Sequence, residues 1–158
     1  MAVKLSIDTG VKEYEINGGE ANGGGTLRFN PTDPNVYDRF VKSVDNIRHI
    51  EDELVKKGQE QKSGDAQADG KTGLDLLRQA DLAVKEVLNE VFGAGNDFDA
   101  IFGGVNVMAV AANGERVITN FLSAIEPIVT QGAQGYAEGK AQTALANRAR
   151  RRAVGKRK

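Results

Sequence analysis

The sequence predicts a mostly helical α+β domain, with a small N-terminal β-sheet packed on three or four helices. Three observations carry that reading. Apolar residues alternate with polar ones near the start of the chain (Val3, Leu5, Ile7, then Tyr14 and Ile16), which is the period of a half-buried strand. Two long segments, about 34–57 and 73–92, instead repeat their apolar residues at helical spacing. Glycines, prolines and cap residues punctuate the chain between these segments.

The alternation over 3–16, broken by Asp8-Thr9-Gly10, predicts a β-hairpin. Five glycines in the nine residues Asn17–Gly25 then form a flexible connector, and Thr26–Phe29 reads as a third short strand. Thr32 or Asp33 caps the first helix, and Pro34 suits its first turn. Tyr37, Phe40, Val44, Ile47, Glu51 and Leu54 line one stripe of it, and Gly58 is expected to end it. Residues 58–72 contain no large apolar residue, so a polar loop is expected there.

The second helix buries Leu77, Ala80, Val84, Val87, Leu88 and Val91 and stops at Gly93. Leu82 falls on its polar side, among Arg78, Glu86 and Asn89. Asn96 or Asp97 caps a short helix over Phe98–Phe102, closed by Gly103-Gly104. A short helical turn is expected in Val105–Ala112, and Asn113-Gly114-Glu115 opens a further helix that Pro127 kinks or restarts. The chain thus divides into residues 1–29 (hairpin, linker and short strand), a helical core over 30–131, and an Ala/Gly-rich extension over 132–158 with a basic tail.

The 158 residues carry a formal net charge of −1, which hides an asymmetry. Eight basic and no acidic residues lie in 140–158, while the other 13 basic and all 22 acidic residues lie in 1–139, a net −9. Arg148, Arg150, Arg151 and Arg152 are candidate electrostatic contacts, for the acidic body, an acidic partner, or weakly for nucleic acid. No aromatic residue follows Tyr136, so base stacking has no support. No apolar run reaches the roughly 20 residues of a membrane span.

Chemistry is poorly provided for. Cysteine is absent and there is one histidine, His49, on the polar face of the first helix. Gly64–Thr72 mimics a phosphate loop but has five residues between its glycines instead of four, and no buried strand before it. Gly23-Gly24-Gly25 lacks the strand-before, helix-after setting of a dinucleotide fingerprint. Asp97 is explained as a cap, and Ile101 stands where a calcium loop needs its next ligand after Asp99. The expectation is no enzyme, no cofactor and no metal. Leu82, Phe98, Phe102 and Phe121 are instead candidate partner contacts, read either as core or as the lining of a groove for an apolar helix.

Two segments carry a family resemblance: Leu27–Phe40 (LRFNPTDPNVYDRF), and Glu90–Gly104 (EVFGAGNDFDAIFGG) with the helix through Asn120-Phe121-Leu122 to Glu126-Pro127-Ile128. Together, over about residues 26–130, they resemble the tail assembly chaperones of long-tailed bacteriophages, particularly those of Gram-positive hosts. The resemblance implies a non-enzymatic protein of the infected host's cytoplasm, absent from the mature virion. It implies binding to the tape measure protein, which is kept soluble, and recruitment of tail tube protein, with self-association as a further expectation. It also implies a longer frameshifted form in many members. The alternatives are a structural or accessory tail protein retained in the virion and a nucleic-acid-binding module using the basic tail.

Overall fold

A computed structural model describes residues 1–156, and Arg157 and Lys158 lie outside the described residues. The order is β1 (Lys12–Ile16), β2 (Gly25–Phe29), α1 (Pro34–Glu60), α2 (Ala66–Phe92), α3 (Phe98–Ile101) and α4 (Val117–Lys156). The small sheet and the helices around it are the α+β, mostly helical fold that the patterning predicts.

β1 and β2 pair antiparallel with Tyr14 opposite Leu27 and Lys12 opposite Phe29. The hairpin is therefore displaced from its expected place. Val3, Leu5 and Ile7 form no strand, and the glycine segment is the hairpin's own connection. Gly18, Gly19 and Gly23 take left-handed φ there, around a single turn of 3-10 helix at Glu20–Asn22. The reason is packing: β2 offers β1 two buried residues, Leu27 and Phe29, and Tyr14 stacks on Phe29 with ring centroids 5.1 Å apart. Residues 3–7 have no such partner.

Asn96 closes the outer edge of β2. Its carboxamide accepts from Arg28 N at 2.7 Å and donates to Arg28 O at 3.0 Å, so one side chain serves as a strand of one residue. It also donates to Phe92 O, which ties the end of α2 to the sheet. Asn96→Ala is expected to cost about 1–2 kcal/mol, because part-buried backbone groups lose their partners, read as a lowered midpoint in urea.

Asp33 caps α1 by accepting from Asn35 N at 2.9 Å. The helix passes through Gly58, and α2 begins at Ala66, so the expected loop over 58–72 shrinks to residues 61–65. Solvent-facing turns need no large apolar residues once they are capped at both ends. Asp65 caps α2 through Gln67 N, and Asp69 reaches back to the N–H and hydroxyl of Ser63, both at 2.8 Å. Those two bonds hold the Asp69 carboxyl below its ordinary value of 3.8. A depressed carboxyl stabilises above its unfolded pKa and loses that contribution as pH falls through the folded one. The link at 61–65 is therefore expected to open in acid, seen as a loss of amide-exchange protection at Ser63 and Gly64 when each rate is divided by the intrinsic rate at that pH.

α1 and α2 form an antiparallel pair, fastened where Arg39 Nε donates to Val91 O at the end of α2. Their buried seam is Val36, Phe40, Ser43 and Ile47 against Leu76, Ala80, Val84, Leu88 and Val91. Leu77 and Val87, expected on that buried face, are half-buried. One more expectation needs correction. Val105–Ala112 forms turns, with one bridge between Val110 and Arg116, instead of a helical turn. Here Val107 N donates to Asp81 on α2, and Met108 N to Asn106, so side chains satisfy the backbone without a helix. α4 starts at Val117, after a turn in which Asn113 accepts from Glu115 N, and it runs through Pro127 without a restart. Pro127 is exposed, so water can serve the carbonyl that its missing N–H leaves unpaired.

Candidate protein-docking surface

The phenylalanines proposed as partner contacts do not stand at the surface. Phe98, Phe102 and Phe121 are buried with Phe29 and Phe92 in one aromatic cluster. Phe121 meets three of these rings, with centroids at 5.2 Å from Phe102, 6.2 Å from Phe92 and 6.3 Å from Phe98, all edge-on. Asp97 caps α3 through Ala100 N, which aims Phe98 and Ile101 inward, and the rings gain more from each other than from solvent. Of the two readings of these three residues, their burial is that of core, and Phe102 and Phe121 also border a surface groove.

Leu82 is 62% exposed on the outer face of α2, as its helical position requires. Three residues on, Lys85 turns inward between two carboxylates, bonding Asp81 at 2.9 Å and Asp99 at 2.7 Å. Burial works to lower the Lys85 pKa, and the two carboxylates outweigh it and raise it. Asp81 also accepts from Val107 N, so this charged triangle fastens α2 to α3 and to the 105–112 segment. It is structural, with each charge partnered.

Arg148, Arg150, Arg151 and Arg152 lie on the last turns of α4 and are exposed. Cations there suit the negative end of a helix dipole. From 148 to 152 the helix turns through about 400°, so the four charges are spread around it instead of forming one face. His49 is exposed at the border of α1 and α2, beside Glu53 and Lys57, in a shallow trough of about 270 Å³.

The feature that the sequence reading missed lies between α1 and α4. These two helices meet less extensively than α1 and α2 do, and an open groove of about 470 Å³ separates them. Its α1 wall presents Tyr37, Val41, Val44 and Arg48, successive turns of one stripe, over a floor of Phe40 and Ile47. Its α4 wall presents Thr119, Leu122, Ser123, Glu126 and Thr130 at the same spacing. Tyr37 and Val41 are exposed, and Val44 and Leu122 are half-buried. Asp45, Glu51 and Glu126 rim the groove with Arg48 as the single base, so its border is net acidic. The signal for it was present in the sequence: the apolar stripe of α1 is wider than one packed neighbour can cover, because Val41 and Tyr37 fall to one side of the Phe40–Ile47 seam.

No family model matches this chain, and neither a curated protein nor a solved structure matches it. No helix among the described residues is long and apolar enough to cross a membrane.

Proposed function

We propose that the chain is a tail assembly chaperone: a non-enzymatic protein that binds a helical segment of the tape measure protein, keeps it soluble and helps recruit tail tube subunits. The reading rests on the family resemblance over residues 26–130, and one observation supports it physically. The α1–α4 groove pairs an apolar stripe with a net acidic rim, the form that accepts an amphipathic helix whose apolar face is flanked by Lys and Arg. A tape measure chain exposes helical apolar stripes until the tube encloses it. A groove open along its length covers such a stripe and releases it when the tube competes. Leu82, on the outer face of α2 and apart from this groove, is an isolated exposed apolar residue.

The test is co-expression with the tape measure protein encoded nearest to this gene. Val41→Asp and Leu122→Asp are expected to return the tape measure protein to the insoluble fraction while the variants themselves stay folded by circular dichroism. Unchanged solubility with both variants overturns the groove as the binding surface. The exposed arginines of α4 favour a second reading, a nucleic-acid-binding module. That reading requires DNA binding with a steep salt slope that is lost on deleting residues 147–158.

A further inference from the structure

The arm before the sheet is built like a strand but pairs with nothing. Val3, Leu5 and Ile7 alternate with Lys4 and Ser6, and they stand 93%, 85% and 71% exposed. That period belongs to a strand with one buried face, yet no strand forms in residues 1–11.

The sheet meanwhile has one closed edge and one open edge. Arg28 spends both its backbone groups on Asn96, on the side away from β1. Arg28 stands opposite Glu13. In an antiparallel pair, residues alternate between bonding their partner and turning outward, so Glu13 and Glu15 turn their N–H and C=O groups away from β2. Such a row is a template for another strand. An apolar groove of about 380 Å³ begins at Ile16, where β1 ends, and continues over Phe102, Val105 and Phe121. Charge matches as well: on the exposed face of β1, Glu13 pairs with Arg28 at 3.0 Å, and Glu15 beside it faces solvent where an arm would offer Lys4.

The arm of the same chain is held off that edge. Asn30 Nδ2 donates to Thr9 O at 2.9 Å, and a Cβ on Gly10 would lie 2.8 Å from that nitrogen. Asn30 directly follows Phe29, the partner of Lys12. Residues 9–11 thus run on beside the end of β2 and do not fold back across the open edge of β1.

We propose that residues 2–8 of one copy add as a third strand to the β1 edge of a second copy, with Lys4 beside Glu15 and the apolar side chains towards the groove. Exchange is reciprocal in a dimer, or passes from copy to copy in a chain. The proposal stands apart from the tape measure reading and concerns a different face of the molecule.

The chain has no cysteine, so introduced ones report cleanly. Full-length Lys4→Cys and Glu15→Cys proteins are mixed under mild oxidation, and a two-chain product is expected in excess of that from either protein alone. Sedimentation should show concentration-dependent association of the unmodified protein. Leu5→Asp should abolish it, and so should Glu15→Pro, whose lost N–H is not one that bonds β2. Circular dichroism of Leu5→Asp should be unchanged, since the side chain touches nothing it would disturb. A monomer at every soluble concentration overturns the proposal. So does association that survives both substitutions, or a Lys4→Cys/Glu15→Cys double variant that closes within one chain.

Discussion

Phe92→Ala is expected to lower the unfolding free energy by about 3–5 kcal/mol, the largest effect of any single truncation in this core. The ring joins three parts of the fold. It lies edge-on to Phe29 of β2 at 5.0 Å, 6.2 Å from Phe98 of α3, and edge-on to Phe121 of α4 at 6.2 Å. Removing it empties the place where sheet, short helix and long helix meet, and the rings around it are too rigid to collapse into the space. For a chain of this length the loss lowers the melting temperature by roughly 6–20 °C. Differential scanning calorimetry reads it directly. A shift under a few degrees would show that the aromatic cluster is not what joins these elements.

Gly132→Ala is expected to destabilise by about 2–3 kcal/mol, although the same change inside a helix ordinarily stabilises by about 1 kcal/mol. The reversal follows from one close approach. A Cβ at Gly132 would fall 1.8 Å from the carbonyl oxygen of Pro31, a backbone atom in the turn that leads into α1. α4 or that turn must move, and the α1–α4 groove lies along the same pair of helices. Gly135→Ala is the matched control. Nothing lies within 4 Å of its Cβ position, so it should stabilise by about 0.5–1 kcal/mol. Opposite signs at two positions one helical turn apart, measured by urea unfolding, test the placement of α4 against the start of α1. Two gains of equal size would contradict it.

What the sequence disclosed and what it hid divide along a physical line. Features set by a few neighbouring residues were legible: the caps, narrowed to Thr32 or Asp33 and to Asn96 or Asp97, the exposure of Leu82 and the helical seams through Ile47 and Val84. The register of the hairpin was not, because it depends on Leu27 and Phe29 packing beneath Tyr14, a contact across the glycine loop. Local alternation at Val3, Leu5 and Ile7 pointed to a strand whose partner the chain itself does not supply. The polar run over 58–72 misled for a different reason. An absence of apolar residues signals exposure, and exposed turns of helix are exposed too. Burial of Phe98, Phe102 and Phe121 was the other side of the same ambiguity, since helical spacing places rings on a face without saying what covers it. The α1–α4 groove was partly legible, as a surplus of apolar positions at Tyr37 and Val41 that one packing partner leaves uncovered.

The central claim is that this surplus receives a helix. Isothermal titration of the full-length protein with helical segments of the tape measure protein, chosen for an apolar stripe flanked by basic residues, tests it most directly. The account predicts one segment bound per chain, with a negative heat-capacity change from buried apolar surface, and binding that disappears in Val41→Asp and in Leu122→Asp. Heats that are absent for every such segment, or identical in the two variants and the unmodified protein, would contradict it.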